Sequence, residues 1–580
     1  MKIAITGEGI ISAIGLNKAE SLQSLRSGRS GIGAMHHLQS EHNDLPVGEV
    51  AMSNVQMKSA LGIEPESQIS RTALMGMMAI AEAVDDAGMK TSAKDGKVVL
   101  VNGTTVGGMD LSEKNFDAII AGGQPGSLGQ HDCGSCTKKT AEYFGEFFDE
   151  VTTISTACSS AANAIMLGAR LIAAGEAEVV VAGGSEALSL FHLNGFNSLM
   201  ILDHQQCRPF DATRSGLNLG EGAAYVVLES ERSVIRRGVE PHAWIAGYGN
   251  ACDAFHQTAT SPDGEGAVLA MQQALHVAGM AASEIDYVNA HGTGTQNNDS
   301  SESSALRRVF GEEMPLVSST KGFTGHTTSA AGSIEVVICL LAMRNSFVPA
   351  NIGWKEPIDD CIVPTMGVSN VSIGKVMCNS FGFGGNDTSL IFSSSAVDIE
   401  ETSKSEIEVK TLSVAQINGE TDLGEIRNYV KPLEARRMGP LQKAAFITSK
   451  RALKDAGIEK PDAIITGTAY GCLDNSERIL MSMMDEGETA VKPTLFMQST
   501  HNTIGSEIAI RLGCHGYNIT YTQCDESLKW AIRDAKMLIR NGVCRTVLVG
   551  AHDEMTPVLS KLLGYGSTDR VSSLSMVLSC

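Results

Sequence analysis

The sequence has no long apolar run: none reaches the roughly 18 residues that a membrane-spanning helix needs. Its start, MKIAITGEGIISAIG, also lacks the cationic and apolar layout of a signal peptide. A hydrophobic content of 43% and a mean hydropathy of +0.01 are ordinary for a globular protein. These features argue against an integral membrane protein and predict a cytoplasmic one.

An excess of positive charge and a regular spacing of cysteines are also missing. The 45 Lys and Arg residues face 66 Asp and Glu residues, and the net charge of −21 argues against nucleic acid or anionic membrane as the main partner. The 13 cysteines are scattered, so most are expected to be buried, inert thiols in a reducing compartment. The single CxxC, Cys133 to Cys136, has no second pair, and no metal site is expected there.

Short apolar segments followed by glycine-rich turns recur along the chain, among them KIAITG, KVVLVNGTTVGG, EVVVAGGSE and AIITGTAYG. Strands rich in Val and Ile that alternate with helical stretches predict an α/β fold with a largely buried sheet. The length of 580 residues indicates more than one domain. The polar, acidic stretch at residues 395–412 is predicted to be a linker between a long body and an appended unit.

The appended unit repeats segments of the body in the same order and at a nearly constant separation. The matching pairs are 79–89 with 449–458, 99–108 with 463–472, and 171–188 with 538–555. Any two strand–helix units share a similar spacing of apolar residues and glycines, but three matches in the same order indicate a duplication with small loop changes.

Cys158 is the candidate nucleophile. It lies in TTISTACSSAANAIMLG, after a β-rich run and just before an Ala-rich helix. The positive end of a helix dipole and its free N–H groups favour thiolate over thiol, the state that attacks a thioester. A cysteine in this position is more often structural, so the assignment depends on the rest of the site.

Two histidine loops and a glycine-rich loop provide that support. His291 lies in NAHGTGTQNND, and His326 lies in SSTKGFTGHTTSAAGSIEVV together with Lys321 and Glu335. The segment CNSFGFGGND contains two phenylalanines and glycines that let backbone N–H groups approach a ligand closely. Each loop alone would be explained by hydrogen bonding, but all three with a helix-capping cysteine indicate an active site.

The segments TACSS, NAHGTGT, STKGFTGH and GFGGND resemble the signatures of β-ketoacyl-acyl carrier protein synthases of the elongating Cys-His-His class. CRPFDATRSGLNLGEGAAYVVLE, at 207–229, resembles them too, and the similarity extends over residues 1 to about 395. This resemblance implies a thiolase-like, five-layered αβαβα fold. Its two related halves are expected at 1–245, with the nucleophile, and 246–394, with the two histidines.

The resemblance also implies the roles of the main residues. Cys158 is expected to accept the acyl group from a carrier protein. His291 and His326 are expected to hold the malonyl thioester and to stabilise the enolate that forms when CO₂ leaves. The backbone N–H groups of Cys158 and Phe383 would form an oxyanion hole, and Phe383 would be a gate to the acyl pocket.

Supporting residues follow from the same resemblance. Lys321 and Glu335 are expected to form a buried ion pair that positions His326, although a plain structural salt bridge fits them equally well. Substrate contacts are expected from Phe381, Thr293 and Thr295. No metal or bound cofactor is expected, because the substrates are carried on the phosphopantetheine of acyl carrier protein.

Residues 413–580 resemble only the N-terminal half of a synthase, in the form associated with chain-length-factor-type partners. RRMGPLQKAAF, PTLFMQSTHNTIGSEIAIRLGCHGYNITY and VLVGAHDEM are the similar segments. No counterpart of either histidine loop follows, and the position of Cys158 is taken by Asp525 or, shifted by one residue, by Cys524. This unit is therefore expected to be inactive as a synthase.

The appended unit is expected to pack against the body's first half, as an intramolecular pseudo-dimer, although a homodimer is also compatible with the family. Acyl carrier protein is acidic, so a chain of this charge needs a local basic patch to receive it. The candidate cations are Arg427, Lys431, Arg436, Arg437 and Lys443.

Two other functions compete with an active synthase. A non-catalytic chain-length partner is disfavoured because Cys158, His291 and His326 are all present. A thiolase acting on coenzyme A thioesters would need a second catalytic cysteine where GFGGND stands. The chain-length-factor-like unit favours a polyene or other polyketide-type product over housekeeping fatty acids.

Overall fold

The computed structural model describes residues 1–91, 96–123, 130–399, 407–563 and 570–580. Residues 400–406 of the predicted linker lie outside the described residues. The strand that opens the appended unit begins at Lys410, so its first three residues lie within the stretch 395–412 that was predicted to be a linker. No helix in these ranges is long and apolar enough to cross a membrane.

Nineteen strands are present in the described ranges. They are β1 (Ile3–Ser12), β2 (Ile32–Gly33), β3 (Val47–Gly48), β4 (Val98–Gly103), β5 (Glu150–Ile154), β6 (Val179–Glu186), β7 (Gly222–Ser230), β8 (Ala243–Cys252), β9 (Tyr287–Asn289), β10 (Leu316–Ser318), β11 (Phe347–Val348), β12 (Val368–Ser369), β13 (Lys375–Gly382), β14 (Asn386–Ser393), β15 (Lys410–Asn418), β16 (Ala463–Gly467), β17 (Asn518–Tyr521), β18 (Thr546–Glu554) and β19 (Val571–Ser579).

The same ranges contain twenty α-helices. They are α1 (Lys18–Ser27), α2 (Asn54–Ala60), α3 (Arg71–Asp86), α4 (Met109–Lys114), α5 (Phe116–Ile120), α6 (Cys133–Glu142), α7 (Ser160–Ala173), α8 (Leu190–Ser198), α9 (Glu231–Arg237), α10 (Glu265–Ala278), α11 (Gln296–Phe310), α12 (Lys321–Thr324), α13 (Ala331–Arg344), α14 (Pro432–Ala435), α15 (Pro440–Asp455), α16 (Leu473–Glu486), α17 (Pro493–Met497), α18 (Thr503–Leu512), α19 (Ser527–Arg540) and α20 (Pro557–Leu563). Short 3₁₀ turns lie at Ala282–Glu284, Thr328–Ala330, Leu423–Asn428, Glu488–Ala490 and Cys524–Glu526.

Fifteen strands form one mixed sheet in the order β10-β9-β13-β14-β8-β1-β7-β6-β4-β5-β17-β16-β18-β19-β15. Helices cover both of its faces. On β6, Val180 and Ala182 pack into the same hydrophobic cluster as α7, whereas Val179 and Val181 pack with α3. Successive side chains of a strand point to opposite faces, so this alternation places α3 and α7 on opposite sides. The predicted α/β class is confirmed.

The sheet contains the same five-stranded unit twice. The order β1-β7-β6-β4-β5 in the body is followed by β17-β16-β18-β19-β15, which is the corresponding order reversed. The two units meet where β5 and β17 pair antiparallel, with Ile154 opposite Tyr521. Ser155 N donates to Thr520 O, and Thr522 N donates to Thr153 O, each at 3.0 Å. The appended unit thus extends the sheet from the edge of the body's first half.

The two central helices cross very closely. All 14 residues of α7 are buried, and α13 is buried except at its last residue. A Cβ on Gly332 would lie 2.9 Å from both N and Cβ of Ala162, so only glycine fits at this crossing. Small residues therefore bring the beginning of α7, next to Cys158, beside the loop that precedes α13 and contains His326.

Candidate active site

Cys158 stands in a sharp turn between β5 and α7. Ala157 adopts a left-handed backbone with φ of 53°. The Ser160 hydroxyl holds the turn, because it donates to Ala157 O at 2.6 Å and accepts from Thr156 N at 2.9 Å. This turn sets Cys158 two residues before the helix begins, with only 5% of the residue exposed.

Both histidines face the cysteine from the second half of the body. His326 Nε2 lies 3.1 Å from Cys158 Sγ. The His291 ring lies 5.3 Å from the His326 ring, nearly perpendicular to it. The buried Glu302 fixes the His291 loop by accepting from His291 N at 2.8 Å and from Gly292 N at 2.7 Å. The three candidate catalytic side chains thus come together.

Lys321 and Glu335 form a buried ion pair, with Lys321 Nζ 2.5 Å from Glu335 Oε1. The same Nζ donates to His291 O at 2.5 Å and lies 3.3 Å from His291 Nδ1. The expectation that this pair positions His326 therefore needs correction: its direct contact is with His291. On His326, the charge of Lys321 helps to lower the pKa.

The electrostatics favour neutral groups in the resting site. Burial, followed by the charge of Lys321, holds the pKa of His291 and of His326 well below the usual range. Burial raises the pKa of Cys158 to about 11, although the Phe383 N–H, the charge of Lys321 and the Cys158 N–H oppose this rise. The helix start therefore does not by itself yield a resting thiolate, and a neutral imidazole stands within reach of the thiol proton.

These groups face a cavity of about 510 Å³. The residues predicted to contact substrate, Thr293, Thr295 and Phe381, line it together with Cys158, His291 and His326, and so does the predicted gate, Phe383. Phe383 stacks on Phe196 at 5.7 Å, and Phe381 lies 5.9 Å from the His291 ring. Lys321 and Glu335 do not line the cavity and lie behind His291. The aromatic walls suit an acyl chain, and the cysteine and histidines suit a thioester.

Comparisons with protein families identify the family of the chain. The β-ketoacyl synthase N-terminal domain matches residues 1–233 and 391–565, and the β-ketoacyl synthase C-terminal domain matches residues 242–355. The chain belongs to the β-ketoacyl synthase family. Among similar proteins is 3-oxoacyl-[acyl-carrier-protein] synthase 2 of Vibrio harveyi, 32% identical over 413 residues that cover 67% of this chain and 98% of the relative.

Solved structures show the same fold. "The ishigamide ketosynthase/chain length factor" is 32% identical, with a TM-score of 0.63 over 68% of this synthase and 99% of that chain. "PfaC Keto synthase-Chain length factor" is 17% identical, with a TM-score of 0.79 over 100% of this synthase and 78% of that chain. The second likeness concerns the fold alone, and it includes the appended unit. The predicted thiolase-like α/β fold is confirmed.

A second, smaller cavity of about 20 Å³ is also lined by Cys158. The body contributes Phe191 and Phe196, whereas Phe496 comes from the appended unit of the synthase. The Phe496 ring packs edge-on against Phe196 at 5.3 Å and Phe191 at 5.9 Å. Sequence reasoning missed Phe496, because a single phenylalanine in PTLFMQST has no signature of a site.

The appended unit has its own copy of the nucleophile turn, and its geometry decides between the two candidate residues. Ser527 Oγ donates to Cys524 O at 2.7 Å and accepts from Gln523 N at 2.8 Å, as Ser160 does in the body. Cys524 has a φ of 51°, which matches Ala157. Asp525 therefore occupies the place of Cys158, and it is exposed. A carboxylate there cannot carry an acyl thioester.

Proposed function

We propose that Cys158, His291 and His326 catalyse a decarboxylative condensation between a Cys-bound acyl chain and malonyl-acyl carrier protein. The observation that supports it most is the 3.1 Å contact of His326 Nε2 with Cys158 Sγ, in a cavity that His291 also lines. In the first step, Cys158 Sγ attacks the acyl thioester of the carrier and its proton passes to His326. The N–H groups of Cys158 and Phe383 bind the developing oxyanion, and the pantetheine thiol leaves with the proton.

The second step begins when malonyl thioester enters the freed cavity. The bond to its carboxylate breaks, CO₂ leaves, and the electron pair forms an enolate whose oxygen accepts hydrogen bonds from His291 and His326. The enolate carbon then attacks the carbonyl carbon of the Cys158 thioester, and the bond from that carbon to Sγ breaks to give a 3-oxoacyl carrier thioester. The Cys158 thiolate that leaves takes a proton from solvent, which restores the thiol. Such preorganised donors are each worth about 10²–10³ in rate.

Cys158→Ala tests the acyl acceptor, since alanine fits a turn built of small residues. The variant is expected to fold and to lose condensation, with no acyl group on the 158 peptide by mass spectrometry. Condensation at near wild-type rate would refute the assignment.

His291→Ala and His326→Ala are expected to lose malonyl decarboxylation. Acylation of Cys158 should persist in His291→Ala. If His291→Ala loses acylation and keeps decarboxylation, the roles assigned to His291 and His326 are reversed.

We further propose three units: two halves, predicted at 1–245 and 246–394, form the active synthase, and a non-catalytic partner, predicted at 413–580, follows the linker. The structure moves two of these bounds: β8 (Ala243–Cys252) runs across 245/246, so the first half ends before Ala243, and β15 makes the partner begin at Lys410. The partner's place is supported by the β5–β17 pairing. Because the edge of β5 is already used within the chain, an intramolecular pseudo-dimer is the proposed state rather than a homodimer. The expectation that no metal or bound cofactor takes part, and the cytoplasmic location, belong to the same proposal.

Acyl carrier protein is the proposed partner, and Arg436 and Arg437 are its proposed docking residues. Both are exposed, and they follow α14 directly. Helix α14 connects to the cavity mouth through side chains: Arg511 bridges Glu434 and Glu507, and Glu507 accepts from Gln257. The next residues, Thr258 to Thr260, line the cavity. The two arginines thus follow a helix that a series of side-chain contacts links to the cavity lining.

Arg436→Glu with Arg437→Glu is expected to raise the KM for carrier-bound substrate and to weaken its salt dependence. Lys410→Glu with Lys529→Glu is the matched control, because it changes the net charge equally at two exposed lysines elsewhere in the unit. Carrier kinetics that respond alike in both variants across a salt series would eliminate the docking role.

We propose a specialised polyene or polyketide-type product rather than bulk membrane fatty acid. Support comes from the appended unit, which contributes Phe496 to a small cavity beside Cys158, and from the similarity to a ketosynthase/chain length factor. Deletion of the gene should remove a specialised product and leave the bulk fatty-acid profile unchanged. An altered bulk profile with no lost specialised product would contradict the proposal.

A further inference from the structure

Two loops of the body border the mouth of the active-site cavity. One is the glycine-rich loop 382–385, which contains Phe383, and the other is 253–260, of which Thr258 to Thr260 line the cavity. They are joined to each other, because Gly384 N donates to Gln257 O at 2.7 Å. Gly384 and Gly385 have φ of 85° and 71°, in the region that favours glycine. Two such glycines allow the first loop many backbone conformations, so its shape depends on outside contacts.

Those contacts come from the beginning of α18 in the appended unit. Asn502, which is 1% exposed, donates from Nδ2 to Phe383 O at 2.9 Å. A Cβ on Gly384 would clash with Ser506 Oγ and would lie 2.9 Å from Asn502 Nδ2, so the loop lies directly against the helix. The other loop is held from the same helix, where Glu507 Oε2 accepts from Gln257 Nε2 at 2.7 Å.

We propose that Asn502 and Glu507 are positioning residues of the appended unit, which hold the 382–385 and 253–260 loops and thereby aim the Phe383 N–H at the reacting sulfur. In this role the unit completes the active site of the body rather than only covering its sheet edge. The inference deepens the proposed function, on which only the condensation readout below rests.

A single residue, Phe383, connects Asn502 to Cys158. Phe383 is clamped at two points: its carbonyl by Asn502, and its ring by stacking on Phe196. Its N–H, the remaining polar group of the residue, is among the groups that favour the Cys158 thiolate. Without the carbonyl contact, the backbone torsions of Gly382, Phe383 and Gly384 would be free to change and the N–H would turn away, so both thiolate and oxyanion would lose a donor.

The first test is Asn502→Leu in the full-length protein, which keeps a similar side-chain volume and removes the donor. Thr466→Val is the matched control, because it removes a buried hydrogen bond to Thr520 within the same unit and touches neither loop. Condensation kcat is expected to fall about tenfold in Asn502→Leu, less than the about 10²–10³ that loss of a whole oxyanion donor costs. KM should change little.

The second readout is independent of condensation. The rate of Cys158 alkylation by iodoacetamide is followed against pH by mass spectrometry of the Cys158 peptide. In Asn502→Leu the alkylation profile should move to higher pH, because the thiolate has lost a donor; in Thr466→Val it should not. An unchanged profile and kcat in folded Asn502→Leu would overturn the inference, whatever the enzyme's substrate proves to be.

A double-mutant cycle at Gln257 and Glu507 covers the case in which Asn502→Leu fails to fold. Gln257→Glu places two carboxylates against each other and should lower kcat. Adding Glu507→Gln restores an amide–carboxylate hydrogen bond with its direction reversed, and should recover activity and the alkylation profile. If the double variant recovers neither kcat nor the alkylation profile relative to the single variants, Glu507 does not position the loop 253–260.

Discussion

Arg170 on α7 and Asp534 on α19 form an ion pair across the junction of the two sheet units, with Nη1 and Oδ1 2.6 Å apart. Both side chains are almost fully buried, at 5% and 0% exposure. Tyr517 also donates to Asp534 at 2.8 Å and accepts from Arg170 at 2.8 Å. The helix that follows Cys158 is therefore tied to the appended unit by a closed network of charged and polar groups.

Removing one partner of this pair should destabilise the protein strongly. Asp534→Ala leaves the Arg170 guanidinium buried without its counter-charge, which costs about 3–5 kcal/mol in comparable cases. Replacing both residues, as Arg170→Met with Asp534→Leu, should recover most of that loss. Urea denaturation of the full chain measures both effects. Equal stability of Asp534→Ala and wild type would show that the pair is not buried in solution.

Phe496→Ala should lengthen the acyl chain that the synthase accepts. The ring closes the small cavity beside Cys158, and its removal extends that cavity into the appended unit. The cost in stability is expected to be about 3–5 kcal/mol, as for other buried Phe→Ala changes. Mass spectrometry of Cys158-bound acyl groups gives the chain length.

Leu453→Ala is the control for that experiment, because it empties a buried site in α15, among core residues of the appended unit, that lines neither cavity. It should cost similar stability and leave the chain-length distribution as in wild type. A distribution unchanged in Phe496→Ala as well would show that the acyl chain runs elsewhere.

The sequence predicted the site where its chemistry lies in local motifs. Cys158, His291, His326 and Phe383 each stand in a short segment whose turn and glycines are visible in the chain, and the structure brings these segments together. The repeated strand–helix units were visible for the same reason. The sequence did not show whether Cys524 or Asp525 matches Cys158. A one-residue shift is decided by a backbone φ angle and by a serine hydroxyl rather than by residue type.

Other features depend on contacts between distant parts of the chain, and the sequence holds no signal for them. Phe496 packs against α8 and Asn502 against the loop 382–385, both far away in sequence. Nothing near either residue differs from an ordinary amphipathic segment. Glu302 was missed because a glutamate inside a polar helix is usually solvated. The contact of Lys321 with His291 rather than His326 follows from the direction of its side chain, which spacing along the chain does not determine.

The acid limb of malonyl decarboxylation should lie well below pH 6.5. Burial and Lys321 lower the pKa of His291 and of His326, so both imidazoles stay neutral where a free histidine gains its proton. Below about pH 6.5 the unfolded chain binds these protons and the folded chain does not, so stability should fall as the pH drops.

Lys321→Met should move the acid limb to higher pH, because the positive charge that disfavours protonated histidine is gone. Lys139→Met, at an exposed lysine paired with Glu142, is the control and should leave the limb in place. The measurement is the initial rate of CO₂ release from malonyl carrier across a pH series. A limb that stays in place in Lys321→Met would mean that burial alone sets the histidine pKa.

A shortened chain ending at Ser394 should lose both solubility and activity. Removal of the appended unit exposes the edge of β5, and an unpaired strand edge is a site of aggregation. It also leaves Arg170 without Asp534, and Phe383 O without Asn502. Size-exclusion chromatography and condensation assays of the two chain lengths measure the effect. Since β5 pairs antiparallel with β17, its copy in the appended unit, the shortened chain could recover order only by pairing β5 with β5 of a second molecule. A soluble monomer as active as the full chain would refute the packing role of the appended unit.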